Sequence, residues 1–126
     1  MGLRTPLSAA RGLGSAKEGV DHWWKQRLTA IALVPLLLWF GFSVALLGTA
    51  DYYTVVGGLA HPVSAGLMIL VLAVGIWHGV LGLQVVIEDY IATEWKKITV
   101  LLLVQFASVI LALAGIRDVL RIALGV

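Results

Sequence analysis

Three long stretches of this chain carry no charged side chain, and they limit the possible folds more than any other feature of the sequence. They cover residues 28–50, 52–87 and 98–116. A helix needs about 20 predominantly apolar residues to cross the hydrocarbon core of a bilayer. The first and third stretches fit one crossing each, whereas the second is too long for one and too short for two with a loop. Continuous apolar runs also favour helices over the alternating strands of a membrane barrel.

The second stretch begins with residues typical of a connecting segment, namely Gly57, Gly58, His61 and Pro62. We therefore expect an all-α membrane protein with three transmembrane helices. The predicted organisation is an N-terminal segment at residues 1–27, a first transmembrane helix at 28–50, a connection at 51–62, a second transmembrane helix at 63–87, a loop at 88–97, a third transmembrane helix at 98–116 and a C-terminal tail at 117–126.

The composition excludes several classes of protein. Hydrophobic residues make up 60% of the 126 residues and charged residues 13%, against roughly 45–50% and about 25% in soluble domains. An ordinary soluble enzyme, a disordered tail and a nucleic-acid-binding domain are thereby excluded, so we expect the lipid bilayer and no nucleic acid as a partner. The chain has no cysteine, which excludes disulfides, thiolate zinc sites and iron–sulfur clusters held by this chain.

The basic residues predict an orientation, because cytoplasmic flanks of membrane helices are enriched in Lys and Arg. Five basic residues lie in the N-terminal segment, two in the loop at 88–97 and two in the C-terminal tail. We expect the N-terminal segment and the loop at 88–97 to be cytoplasmic, and the connection at 51–62 and the C-terminus to be periplasmic. These basic residues are Arg4, Arg11, Lys17, Lys25, Arg27, Lys96, Lys97, Arg117 and Arg121.

His78 is the main polar residue within an apolar stretch, and such residues are costly in lipid. It lies nine residues before Ile87, which places it near mid-membrane, roughly 14 Å from the charged end of the helix. Gly75, Gly79 and Gly82 surround it. Two interpretations are compatible with this spacing. The Gly75–Gly79 pair is typical of close helix packing, and a face without side chains beside a histidine also leaves room for a haem whose iron binds the imidazole.

Asp89 and Tyr90 close the second transmembrane helix at the cytoplasmic interface. Asp89 follows His78 by eleven residues, which returns it to nearly the same helix face, about 16 Å away along the axis. An adjacent carboxylate and phenol at this boundary could hydrogen-bond a quinone head group and assist its protonation. The alternative is an acidic helix end with an interfacial tyrosine.

Arg27 stands at the start of the first apolar stretch. Its guanidinium could pair with a carboxylate, a lipid phosphate or a haem propionate, or it could simply anchor the helix at the interface. The residues offer no nucleophile–base pair and no phosphate-binding loop, so hydrolytic chemistry is unsupported.

The segment His78–Tyr90, HGVLGLQVVIEDY, resembles the signature of the hydrophobic membrane anchor subunit of succinate dehydrogenase (respiratory complex II). That signature is a histidine and glycine on the second transmembrane helix, followed by an Asp-Tyr pair eleven and twelve residues after the histidine. Residues 19–31, GVDHWWKQRLTAI, are similar to the entry of that family into its first helix. The resemblance covers roughly residues 19–116.

The resemblance implies roles for four residues. His78 would supply one axial ligand of haem b, Tyr90 would hydrogen-bond a carbonyl of ubiquinone, and Asp89 would shape the quinone site and assist proton supply. Arg27 would lie near the haem propionates. Because the chain has one mid-span histidine, the second haem ligand would come from another chain.

The implied partners are a second membrane anchor subunit of the cytochrome b556 type, an iron–sulfur subunit and a flavoprotein subunit in the inner (cytoplasmic) membrane. The chain would not be catalytic alone. Two alternatives stay open: a haem-b anchor of another dehydrogenase, such as fumarate reductase, and a non-redox helix-packing or assembly protein in which His78 and the glycines serve only packing.

Overall fold

The computed structural model describes residues 16–126, and this part of the chain is all α-helical. Its four helices are α1 (Ala16–Leu47), α2 (Tyr52–Ala60), α3 (Pro62–Tyr90) and α4 (Glu94–Leu124). Segments of α1, α3 and α4 are long and apolar enough to cross a membrane, which confirms the predicted all-α architecture with three long apolar helices. Arg4 and Arg11, which contribute to the predicted orientation, lie outside the described residues.

The helices extend beyond the predicted membrane segments. Helix α1 begins at Ala16, well before residue 28, and the non-helical link between α3 and α4 shrinks to residues 91–93. Residues 117–126, predicted as a tail, continue α4 to Leu124, where Gly125 ends the helix in a left-handed conformation with φ 70°. Hydropathy reports which residues suit lipid, whereas helical hydrogen bonding continues through charged residues into the interface.

The predicted connection at 51–62 contains a helix of its own. Asp51 caps α2, and its side chain accepts a hydrogen bond from the backbone N–H of Thr54. His61 follows α2 and caps α3, where its ring accepts from the N–H of Val63 and Pro62 occupies the first turn. The glycines and Pro62 mark a sharp change of direction, but they do not prevent a short helix before it.

Helix α3 is the centre of the fold. It packs along both α1 and α4, and α2 rests against α3 and α4. The contact with α4 is close at Gly115, where a Cβ atom would stand 3.0 Å from Cδ1 of Leu72. Even alanine at this position would therefore require the Leu72 side chain to shift.

Little of this chain is buried within itself. The buried hydrophobic side chains of the described part are Leu33, Ala65, Leu81, Ile87 and Val119, and many large apolar residues of α1, α3 and α4 are exposed. Apolar surface of this extent requires a covering other than water, such as lipid or another protein.

Candidate functional site

The contact between α1 and α3 holds the candidate site. Three residues of α3, each three or four positions from the next, face α1. Gly75 lies against Leu33, Gly82 lies against the side-chain amide of Gln26, and between them His78 contacts Thr29. Because the two glycines add no side chain, the imidazole can reach across to the neighbouring helix.

His78 is hydrogen-bonded to Thr29, with 2.9 Å between Nδ1 of the ring and Oγ1 of the hydroxyl. Thr29 is only 4% exposed. Its hydroxyl also lies 2.8 Å from the carbonyl oxygen of Lys25 and 3.0 Å from that of Gln26, in the preceding turn of α1. Sequence reasoning missed Thr29. The sequence feature that could have indicated it is a single hydroxyl residue near the start of the first apolar stretch.

Beyond this hydrogen bond, the imidazole is partly exposed. His78 is half-buried, and within residues 16–126 its ring is hydrogen-bonded through Nδ1. A Cβ built at Gly79 would meet no atom within 4 Å. The structure thus separates the predicted Gly75–Gly79 pair: Gly75 contributes to the α1–α3 contact, and Gly79 faces space outside the chain.

The hydrogen bond also fixes the level of His78 relative to α1. Arg27 precedes Thr29 by two residues, which corresponds to about 3 Å along the helix axis. His78 therefore lies level with the start of the charge-free part of α1.

Arg27 lies at the same level as His78, but it does not lie on the face of α1 that contacts His78. Two residues correspond to a rotation of about 200°, so Arg27 points away from the face of α1 that carries Thr29. Its guanidinium lies 4.8 Å from the ring centroid of Trp23, a distance at which a cation–π interaction is favourable. Within the chain, the structure does not bring Arg27 and His78 together.

Asp89 and Tyr90 form the last turn of α3, and both side chains are exposed. They are followed at once by the short link to α4. Their separation from His78 along a continuous helix agrees with the spacing expected from the sequence. Neither is enclosed by this chain, so a quinone site here would need walls from other subunits.

A second polar cluster lies on the same face of α1, one and two turns before Thr29. Nε2 of His22 and Oε1 of Gln26 are buried without a hydrogen-bond partner among the described residues. Gln26 lies against Gly82 of α3. This part of the α1–α3 contact is thus more polar than the apolar stretch beyond Thr29.

One pocket lies away from these residues. It has a volume of about 350 Å³ and lies between α1, α2 and α3, at the opposite end of α3 from Asp89. Its lining is mostly apolar, including Trp39, Val44 and Met68. It contains none of the predicted site residues, and an apolar groove between membrane helices is a natural place for an acyl chain, so we attach no redox chemistry to it.

The described residues contain no group of three or more His, Asp or Glu side chains able to hold a metal ion. The fold and the site together define a class of protein: a small membrane protein with three long apolar helices and a half-buried histidine, His78, within the second of them.

Comparisons with known proteins identify the family within this class. Residues 1–112 match the family described as the succinate dehydrogenase/fumarate reductase transmembrane subunit. The hydrophobic membrane anchor subunit of succinate dehydrogenase from Rickettsia bellii is 33% identical over 90% of this chain and 91% of its own length. That from Paracoccus denitrificans is 31% identical over 96% of this chain and 93% of its own. No solved structure gives a significant match.

The membrane anchor subunit of succinate dehydrogenase from Reclinomonas americana is 32% identical over 74% of this chain and 80% of its own length. The chain belongs to the family of succinate dehydrogenase/fumarate reductase transmembrane subunits. It is a multi-pass membrane anchor, and that role implies a complex with other subunits.

Proposed function

We propose that this anchor supplies His78 as one axial ligand of a haem b and contributes Asp89 and Tyr90 to a ubiquinone-reduction site. A second membrane anchor subunit of the cytochrome b556 type provides the other haem ligand. The iron–sulfur subunit docks near the end of α3 and receives its electrons from the flavoprotein subunit. The observation that carries the proposal is His78 itself, which is hydrogen-bonded to Thr29 through Nδ1 and is partly exposed beside Gly79.

The residues present fit a haem at this place. A neutral imidazole with a free ring nitrogen is a haem ligand, and the bare surface at Gly79 removes the side chain that would otherwise stand beside the ring. When bound, haem b supplies a centre that is reversibly reduced by one electron. Arg27, at the same level on α1, would pair with a propionate only if the haem edge reaches round to the Trp23 side.

Asp89 and Tyr90 suit the quinone chemistry because both are exposed at the end of α3. The phenol of Tyr90 donates a hydrogen bond to a quinone carbonyl oxygen, which favours electron uptake at that oxygen. The carboxyl group of Asp89, in contact with water, passes protons towards the reduced quinone. We place this end of α3 on the cytoplasmic side of the inner membrane. Proton supply and quinone reduction then share one side, so no obligatory transmembrane proton pumping results.

The test of haem ligation is the dithionite-reduced minus oxidised visible spectrum of the purified complex, comparing wild type with His78→Ala. We expect a b-type signal that the substitution removes or shifts. His61→Asn is the matched control, because it removes a histidine of the same chain while asparagine keeps the capping function at the start of α3. Its spectrum should equal that of the wild type.

One observation favours a second candidate, a helix-packing role. His78 already has a hydrogen-bond partner on a neighbouring helix, and Gly75 lies in the same contact. In a protein of this kind, His78→Ala would weaken assembly and leave the visible spectrum unchanged. Absence of haem from the intact wild-type complex would likewise exclude the ligand role of His78.

A further inference from the structure

Thr29 stands out as the buried polar residue of the described part of the chain, at 4% exposure. Its hydroxyl oxygen meets three polar atoms at hydrogen-bond distance. These are the carbonyl oxygen of Lys25 at 2.8 Å, the carbonyl oxygen of Gln26 at 3.0 Å and Nδ1 of His78 at 2.9 Å. The arrangement determines which atom donates in each hydrogen bond.

A threonine hydroxyl has one hydrogen to donate, and a carbonyl oxygen can only accept. If the hydrogen pointed to His78, the hydroxyl oxygen would face two carbonyl oxygens with no hydrogen between them. The hydrogen therefore lies towards Lys25 and Gln26, where it is shared between the two carbonyls. The lone pairs of Oγ1 then accept a hydrogen bond from His78, so Nδ1 of His78 carries a hydrogen.

In a neutral imidazole, a hydrogen on Nδ1 leaves the lone pair on Nε2. We propose that Thr29 is a positioning residue, which fixes His78 in this tautomer and holds its ring so that Nε2 is directed away from α1 as the iron ligand. This inference rests on the proposed haem ligation. Hydrogen bonds to the second ring nitrogen of metal-binding histidines generally fix the tautomer and the orientation, and they raise the basicity of the ligand.

Two consequences follow from loss of the Thr29 hydroxyl. The ring loses its orienting bond, so haem is held less tightly, by roughly 10- to 100-fold as for other such partners. An Nδ1–H without an acceptor also makes Nε2 a weaker electron donor. Because electron donation favours the ferric state, the midpoint potential of the haem becomes more positive.

The experiment uses the complete complex with Thr29→Val, which keeps the branched shape and removes the hydroxyl, and with Thr29→Ser, which keeps the hydroxyl. Thr99→Val is the matched control, because the hydroxyl of Thr99 donates to the carbonyl of Trp95 in its own helix. The readouts are the rate of haem transfer to excess apomyoglobin, the midpoint potential of the haem and the g values of the ferric haem by electron paramagnetic resonance.

Thr29→Val should release haem roughly 10- to 100-fold faster, with a more positive potential and altered g values, whereas Thr29→Ser and Thr99→Val should resemble the wild type. Where Thr29→Val does not assemble, Thr29→Cys, with its much weaker hydrogen-bonding group, should show the same changes. An assembled Thr29→Val or Thr29→Cys complex with all three readouts unchanged overturns the inference.

The His78→Ala spectrum separates this failure from failure of the proposed function. If His78→Ala retains the wild-type haem signal, the ligand role of His78 is lost, and the inference about Thr29 is lost with it. If His78→Ala removes the signal while Thr29→Val changes nothing, His78 remains the ligand and only the positioning role of Thr29 is overturned.

Discussion

The side chain of Tyr90 extends from the last turn of α3 and is 84% exposed. A phenol in this position is free to hydrogen-bond a molecule that arrives from the membrane or from a neighbouring subunit. Substitution of Tyr90 should also change the stability of the fold little, because its side chain packs against almost nothing in its own chain. Tyr90 is therefore suited to a test in which chemistry is altered and folding is preserved.

We expect Tyr90→Phe to lower kcat/KM for ubiquinone reduction roughly two- to tenfold, because one hydrogen bond to the quinone oxygen, worth about 0.5–1.5 kcal/mol, is lost. The measurement is succinate-dependent ubiquinone reduction in the purified complex. Succinate oxidation with a dye that accepts electrons before the quinone site should stay unchanged.

Tyr53→Phe is the control for this experiment. Tyr53 is also highly exposed, but it lies on α2, at the opposite end of the bundle, and its loss should affect neither assay. Equal quinone kinetics for Tyr90→Phe and wild type would exclude a direct hydrogen bond from Tyr90 to the quinone.

At the scale of elements, sequence patterns predicted more of the helices than of their contacts. The length of the charge-free stretches was sufficient to predict three long helices. The eleven-residue spacing was sufficient to predict how far apart His78 and Asp89 lie along their helix. Both features depend on a single helix. The Thr29 contact depends on how α1 lies along α3, which no single-helix pattern contains. Helix α2 was missed because its glycines and the following Pro62 outweighed the Asp51 cap.

Asp51 makes α2 sensitive to pH. The hydroxyl of Thr54 donates to the Asp51 carboxylate, and this bond, with the backbone N–H bonds, lowers the pKa of Asp51 below its usual 3.8. The charged form is thus favoured in the folded state. Its contribution is complete above the unfolded pKa and is lost as the pH falls through the lower, folded pKa.

We expect Asp51→Ala to increase amide hydrogen exchange in residues 52–60 at pH 7, measured by mass spectrometry and corrected for intrinsic rates. Asp51→Asn is the control, because asparagine caps a helix about as well as aspartate and carries no titrating charge. Its exchange should match the wild type at pH 7. Equal protection in Asp51→Ala and wild type would show that the cap contributes nothing to α2.

At the scale of the whole molecule, the structure brings together α2 and the C-terminus, the two parts of the chain that the sequence predicts to be periplasmic. Tyr52 and Val56 of α2 line one pocket together with Arg121, Gly125 and Val126. Helix α2 and the C-terminus therefore lie at the same end of the bundle, and the link at 91–93 lies at the other end. This agrees with the predicted placement of both on one side of the membrane, which the predicted orientation makes the periplasmic side.

The absence of cysteine from the chain allows that orientation to be tested with single cysteines. Gly57→Cys introduces a side chain where a Cβ would meet no atom within 4 Å, and Val126→Cys places one at the exposed C-terminus. Because five basic residues precede the first apolar stretch, we expect a membrane-impermeant maleimide to label both variants in intact spheroplasts.

Ala92→Cys is the matched control at the opposite end, since Ala92 is exposed in the link between α3 and α4. It should stay unlabelled in intact spheroplasts and react after the membranes are dissolved in detergent. If Ala92→Cys is labelled in intact spheroplasts and Gly57→Cys and Val126→Cys are protected, the orientation is opposite to the predicted one. Asp89 and Tyr90 would then face away from the cytoplasm, and their proposed access to cytoplasmic protons would fail with the orientation.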